Sequence, residues 1–422
     1  MDPNSQPDGD RMAIEPQSGR TATGVSAPTR ASRLAELFAI ERNVAAASTA
    51  VLLMGLGEEL WKRFVPKYLS ALGAPAAAIG FYGSARDFAD GVLQYPGGWV
   101  ADRVGRRRAL QIFVTLAAVG YGIYLVAPSW PVVLVGLAFV MAWSSASSPT
   151  VFAVIGDALP AERRTMGFTV QSILRRVPIM IAPVLGGVLI AKLGPLNGVR
   201  AGLAITIAGA AVTLLVVSRI DLASPAAEQE IRIAGVWRIV PPALRRLLAS
   251  DVLVRTCEAL ADVFVVLYAI DVVGVTAPQF GALVTIQMAT SIAVYLPAAR
   301  IATHFGRKPF VIATFLSFAL FPLAVASATG LASLAVAFVI GGLREIGEPA
   351  RKAMIVDLAK PHVRARTVGL YYLLRSLAIS PAAMIGGVLW AVRPTLPFLL
   401  AGAFGLAGVA VFAMTVRAAD AA

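Results

Sequence analysis

Cysteine, histidine and charged side chains are all scarce in this sequence. The single cysteine, Cys257, excludes an intramolecular disulfide. The two histidines, His304 and His362, both fall in predicted loops, so a proton relay in an apolar interior would have to use carboxyl groups. Charged residues make up 14% of the 422 residues and hydrophobic residues 58%. An ordinary soluble domain is about 25% charged, so this composition argues against a soluble protein.

Sequence patterns for nucleotide hydrolysis, metal binding and nucleophilic catalysis are also missing. The chain has no G-x-x-x-x-G-K-[ST] loop, no metal-ligand spacing and no nucleophile–base pair. We therefore expect neither an enzyme nor a bound cofactor or metal. A net charge of +13 can indicate nucleic acid. Here the positive charges lie in short loops between apolar segments, so we expect them to fix topology and contact anionic lipid instead.

Apolar runs of about twenty residues, the length of a membrane-spanning helix, recur along the chain. They predict an all-α membrane protein, because a helix satisfies its own backbone hydrogen bonds in hydrocarbon. A polar segment near the middle separates six predicted helices from six others. The twelve approximate spans are 43–69, 76–101, 108–127, 131–156, 165–191, 197–219, 249–274, 278–302, 308–328, 331–357, 365–391 and 395–417.

The distribution of arginine and lysine predicts the orientation. Residues 1–35 are polar and lack the apolar core of a signal peptide, so we expect a disordered cytoplasmic tail. With that tail inside, most basic loop residues fall on the same side of the membrane, which places both termini in the cytoplasm. The domains expected after the tail are an N-terminal bundle over 36–219, a cytoplasmic linker over 220–248 and a C-terminal bundle over 249–422.

The most informative stretch is the polar loop over 98–108, which reads GWVADRVGRRR between two long apolar segments. Glycine suits its tight turn, because glycine adopts backbone angles that other residues avoid. The loop resembles the signature loop of the major facilitator superfamily, G-x-x-x-D-R-x-G-R-R/K, at Gly98, Asp102, Arg103, Gly105, Arg106 and Arg107. The resemblance implies a secondary transporter of small molecules that usually works as a monomer and uses this loop as a conformational switch. The alternative is that the arginines only fix topology.

The two halves of the sequence repeat each other at an offset of about 200 residues. Gly105–Arg107 recurs as Gly306–Lys308. Asp157 recurs as Asp357. This duplication predicts two pseudo-symmetric six-helix bundles with a substrate site at their interface. Thr303 replaces the aspartate in the second copy of the loop, so we expect the first half to supply the stronger switch contacts.

Several ionisable residues fall inside predicted membrane helices, where they usually face a cavity or a partner. Glu58 in the first helix and Glu258 in the seventh occupy equivalent positions. Lys62 and Asp262 are likewise equivalent, with opposite charge. These two helices line the central cavity in the superfamily, so the resemblance makes Glu58 and Glu258 the first candidates for proton or cation binding. The alternative is structural pairing of Glu58 with Lys62, and of Arg255 with Glu258 or Asp262.

Two arginines, Arg175 and Arg375, form a second symmetric pair, and the tenth predicted helix adds Glu345. Arginine stays protonated in proteins, so each guanidinium must pair with an acidic group or face water. The pair either holds an anionic or zwitterionic substrate or forms structural ion pairs. The segment Ala182–Gly187 looks like the later part of a glycine–proline motif of superfamily antiporters. Ala138 stands where proton-coupled drug antiporters of the superfamily typically carry an arginine.

Together these features predict a transporter that moves a small organic solute by alternating access. The expected location is a bacterial plasma membrane. Proton-coupled efflux is the leading hypothesis, and a proton symporter or uniporter that imports a polar or anionic metabolite is the alternative. A receptor or scaffold that keeps the fold without transporting is a third hypothesis, disfavoured by the intact loop.

Overall fold

The computed structural model of the protein describes residues 41–221, 241–359 and 364–416. The predicted tail and most of the predicted linker lie outside these residues. Within them the chain is helical and contains no β-strand. This confirms the all-α prediction.

The first half contains six membrane-crossing units. A 3-10 turn over Lys62–Phe64 and a π-helical turn over Ala142–Ala146 each join two helices into one unit. The last helix turns at Gly194, where φ is 79°, and so supplies the fifth and sixth units. The helices are α1 (Arg42–Trp61), α2 (Val65–Ala71), α3 (Ala76–Val104), α4 (Arg106–Val126), α5 (Trp130–Met141), α6 (Ser147–Ala158) and α7 (Ala161–Val217).

The second half again contains six units. Its helices are α8 (Pro242–Leu267), α9 (Ala277–Phe305), α10 (Lys308–Ala326), α11 (Leu331–Leu343), α12 (Glu348–Asp357), α13 (Arg364–Ile379), α14 (Ala382–Val392) and α15 (Leu396–Thr415). A π-helical turn over Tyr268–Val272 extends α8. Short breaks at 344–347 and 380–381 divide the tenth and eleventh units, each predicted as one helix. Helix α8 begins at Pro242 rather than near residue 249.

Three units differ from the others in composition. Eight helical stretches in the described part of the chain are long and apolar enough to cross a membrane on these grounds alone. Helices α3 and α8 and the α11–α12 unit are not among them. Each of these three brings charged side chains to the interface between the halves, as described below.

The two halves contact each other closely at the end away from Gly105. There α3 packs on α14, and α7 packs on α9. A Cβ atom added to Gly80 would lie 2.4 Å from the carbonyl oxygen of Ala383, and one added to Gly187 would lie 2.4 Å from that of Ala277. Small residues therefore let the backbones meet and close this end, called here the closed end.

Replacing Gly187 by leucine should loosen the closed end. An added side chain in a packed contact typically costs about 1–3 kcal/mol, which here would separate α7 from α9. The measurement is the labelling rate of a cysteine introduced at Val275, which is buried beside this contact, in a Cys257→Ser background. We expect several-fold faster labelling. The control is Gly122→Leu, where a Cβ meets no atom within 4 Å; equal labelling in both variants would contradict the role of Gly187.

Candidate functional site

A cavity of about 420 Å³ lies between the two halves. A smaller cavity of about 100 Å³ in the first half shares part of its wall, including Lys62, Ser144 and Arg175. The charged residues that line the larger cavity are Glu59, Lys62, Arg63, Arg86, Asp87, Asp90, Arg175, Asp262 and Arg344. This wall is suited to a polar solute, because an apolar one would leave these groups without partners.

Charged side chains of the second half form a continuous network that begins at the cavity wall. Glu258 accepts hydrogen bonds from Arg344 at 3.1 Å and from Arg255 at 2.9 Å. Arg255 also pairs with Glu348. Glu258 therefore forms the predicted ion pair with Arg255 and has a second arginine as well.

The network continues along α8 to a fully buried aspartate. Arg351 joins Glu348 to Asp251, with both distances 2.8 Å. Asp251 also accepts a hydrogen bond from Tyr371 at 2.9 Å and contacts Arg375 at 3.4 Å. Arg375, for which the sequence left open a substrate contact or a structural ion pair, thus has a structural partner.

Two cations of the first half differ from these arginines because they have no ion-pair partner in the described part of the chain. Lys62 and Arg175 line both cavities, and among the described residues neither has a carboxylate within ion-pair distance or a hydrogen-bond acceptor. The neighbouring Glu59 pairs with Arg63 at 3.4 Å. The ion pair between Glu58 and Lys62, which the sequence offered as an alternative, is not formed. Arg175 and Arg375 are thus equivalent in sequence but differ in environment.

Glu58 is 6% exposed and lies against an aromatic cluster. Its Oε1 accepts a hydrogen bond from the hydroxyl group of Tyr121 at 2.6 Å. Trp61 packs edge-on against the Tyr121 ring, with 5.6 Å between ring centres, and so holds it in place. Glu58 has no ion-pair partner in the described part of the chain, whereas its equivalent, Glu258, has two. The sequence did not identify Tyr121, since nothing in its spacing marks it as a partner of Glu58.

Within the described part of the chain, three ion pairs join the two halves. Arg86 of α3 binds Asp262 of α8 at 3.0 Å within the cavity. Arg176 of α7 binds Glu345 at 3.4 Å. The third pair, Lys67 with Asp271, lies at the closed end. Asp262 and Glu345, both predicted site residues, therefore contact the opposite half, and the predicted alternative pair between Asp262 and Arg255 is not formed.

The loop between α3 and α4 makes its contacts within the first half. Gly105 has φ 86°, as its turn requires. Arg106 pairs with Asp102 at 2.5 Å and with Asp157, at the end of α6, at 3.2 Å. The Arg103 guanidinium lies 3.9 Å from the centre of the Trp99 ring.

The second half repeats part of this arrangement. Arg307 pairs with Asp357 at 2.6 Å, and the turn residue Gly306 has φ 80°. The sequence showed Asp157 and Asp357 as a repeat but did not predict them as partners of the loop arginines, because those partners lie on other helices.

The profile of the Major Facilitator Superfamily matches residues 47–270 and 247–421. The chain belongs to this superfamily. It is an integral membrane transporter of small solutes. No curated protein sequence matches the chain.

Solved structures of superfamily transporters share the fold. A mutant form of a nucleoside transporter, NupG, is similar over 89% of this chain and 100% of its own, with a TM-score of 0.73 and 12% identity. A peptide transporter, POT, in complex with sulfate is similar over 90% of this chain and 96% of its own, with a TM-score of 0.72 and 15% identity. A POT family transporter in complex with 5-aminolevulinic acid is similar over 88% of this chain and 95% of its own, with a TM-score of 0.70 and 13% identity. At these identities the similarity shows the superfamily fold alone.

The contacts of Arg106 give a test of the superfamily loop as a switch. Asp102→Asn and Asp157→Asn each remove one exposed ion pair, and such pairs contribute at most about 1 kcal/mol to stability. We expect transport to slow several-fold while substrate affinity and thermal stability stay nearly unchanged. Asp357→Asn, in the second half, should have the smaller effect. Lost substrate binding with an unchanged rate of conformational switching would refute the switch role.

Proposed function

We propose that this transporter carries a small polar solute with a negatively charged group, coupled to a proton. The proposal rests on two cations, Lys62 and Arg175, on the wall of the cavity between the halves. Neither has an ion-pair partner among the described residues. An ionised group in a membrane protein needs a counter-charge or water. A carboxylate or phosphate of the solute would supply that counter-charge.

Glu58 is the residue that we assign to the proton. It lines the smaller cavity together with Lys62 and Arg175, and it has no arginine bound to it. A bound anion and a proton on Glu58 favour each other, because protonation removes a negative charge beside the anion. This coupling supports symport. Glu258, the other sequence candidate, lies between two arginines that already balance its charge.

Proton-coupled efflux is the second candidate, and a packing contact favours it. Pro183 and Gly187, of the segment that resembles an antiporter motif, meet Gly281 and Ala277 of α9 at the closed end. This contact stabilises the conformation closed at that end. With the Gly105 loop in the cytoplasm, as the charge bias predicts, that conformation would receive its solute from the cytoplasm.

Similar structures support a polar solute rather than an apolar drug. They include proteins named as a nucleoside transporter and a peptide transporter, and one solved with 5-aminolevulinic acid. Both the symport and the efflux candidates are consistent with such a solute.

The decisive measurement is internal pH in proteoliposomes while a library of organic anions and zwitterions is added under an imposed pH gradient. Proton entry that accompanies solute entry supports symport, and proton movement opposite to the solute supports efflux by antiport. Lys62→Gln and Arg175→Gln should each weaken apparent affinity about tenfold or more, since a hydrogen bond to a charged group contributes about 1.5–3 kcal/mol. Lys192→Gln, an exposed cation on α7, is the control. Unchanged affinity in both cavity variants would refute the proposal.

The role of Glu58 has its own test. Glu58→Gln keeps the side-chain shape but cannot change protonation state, so proton-driven accumulation should be lost while exchange of labelled for unlabelled solute continues. Glu258→Gln serves as the matched variant at the equivalent position. Should accumulation survive in Glu58→Gln and fail in Glu258→Gln with exchange intact, the proton belongs to Glu258 instead.

A further inference from the structure

The second-half wall of the cavity carries a negative charge where the first half carries Lys62. Asp262 is the equivalent residue on α8, and its side chain lines the same cavity and is 37% exposed. The two equivalent positions therefore give the cavity a positive side in the first half and a negative side in the second.

Asp262 shares its arginine partner with a second carboxylate. Arg86 donates to Asp262 at 3.0 Å and also to Asp87 at 3.0 Å. One guanidinium therefore serves two carboxylates. Arg63 and Arg344 also attract Asp262 through space, but no other cation of the described residues lies within ion-pair distance of it. Asp262 can therefore accept direct contact from a second cation.

The other carboxylates near the cavity are placed differently. Glu258 lies between two arginines, and Glu59 pairs with Arg63. Asp87 and Asp90 line the cavity from the first half, the half that also carries Lys62 and Arg175. Among the described residues that line this cavity, Asp262 is the acidic residue of the second half, so it is placed to accept the positive group of a solute whose negative group the first half holds.

We propose that Asp262 binds a positively charged group of the solute, in competition with Arg86, so that the transporter selects zwitterionic solutes. The inference rests on the proposed function, in which Lys62 and Arg175 hold the negative group. A zwitterion bound in this way connects α1 and α7 of the first half to α8 of the second.

The competition has a conformational consequence. The Arg86–Asp262 pair joins α3 to α8, so it holds the halves together at the cavity. A solute ammonium group that binds Asp262 in place of Arg86 weakens this connection. Binding and movement of the halves are then coupled by differential contacts, which is what a ligand needs in order to shift an equilibrium between two conformations.

Matched solutes that differ by one ammonium group test the inference. The smaller pair of probes is 4-aminobutyrate and butyrate, and the larger pair is glycylleucine and N-acetylleucine. Dissociation constants are measured by tryptophan fluorescence of the full chain. Thermal stabilisation of the full chain by each ligand gives a second measurement. In the wild type we expect the zwitterion of at least one pair to bind about tenfold more tightly than its anion. Asp262→Asn should remove that preference and leave the affinity for the anion within about twofold.

Two further variants separate this inference from the proposed function. Lys62→Gln should weaken binding of both members of a pair, and Lys192→Gln, the exposed control on α7, should change neither. Asp262→Glu, which keeps the charge, should restore part of the preference if Asp262→Asn folds poorly. A zwitterion preference that persists in Asp262→Asn, or none in the wild type with either pair, overturns the inference. Unchanged anion binding in Lys62→Gln counts against the proposed function instead.

Discussion

An ionised side chain inside a membrane protein must find an opposite charge or water, and this requirement organises the interface between the two halves. Along α8 and α12 the second half meets it internally, since arginines alternate with carboxylates from Arg344 at the cavity to Asp251 deep in the bundle. The first half leaves Lys62 and Arg175 facing the cavity. In the proposed function, the wall with unpaired cations binds the solute and the wall with paired charges is structural.

The packing between the halves allows this interface to change. Backbones meet through glycines at the closed end, where Lys67 and Asp271 add an ion pair. Among the described residues three ion pairs connect the halves, whereas the network around Arg351 lies wholly within the second. Each bundle can therefore move as a unit while a small number of contacts between them is exchanged. Alternating access requires two packings that differ by about a few kcal/mol, which such contacts can provide.

The fold could be predicted from the sequence, because apolar runs, short basic loops and the glycine turn at Gly105 are local signals. The break at 344–347 could not, because it depends on a contact: the backbone N–H of Gly347 donates to Thr314 at 2.6 Å. Equivalent positions such as Glu58 and Glu258 marked which helices carry the candidate carboxylates. Their partners, Tyr121 and Arg344, lie on other helices, and sequence spacing does not specify which helices pack together.

A duplicated fold gives two halves the same geometry, so their chemical difference must come from substitutions at equivalent positions. Lys62 and Asp262 illustrate the consequence. Two like charges would repel each other across a poorly hydrated cavity and would favour an open interface whether or not solute is bound. Opposite charges attract across the cavity, and in the proposed binding mode a zwitterionic solute would replace that attraction at both ends. The asymmetry between the halves would then let one bound solute contact both bundles.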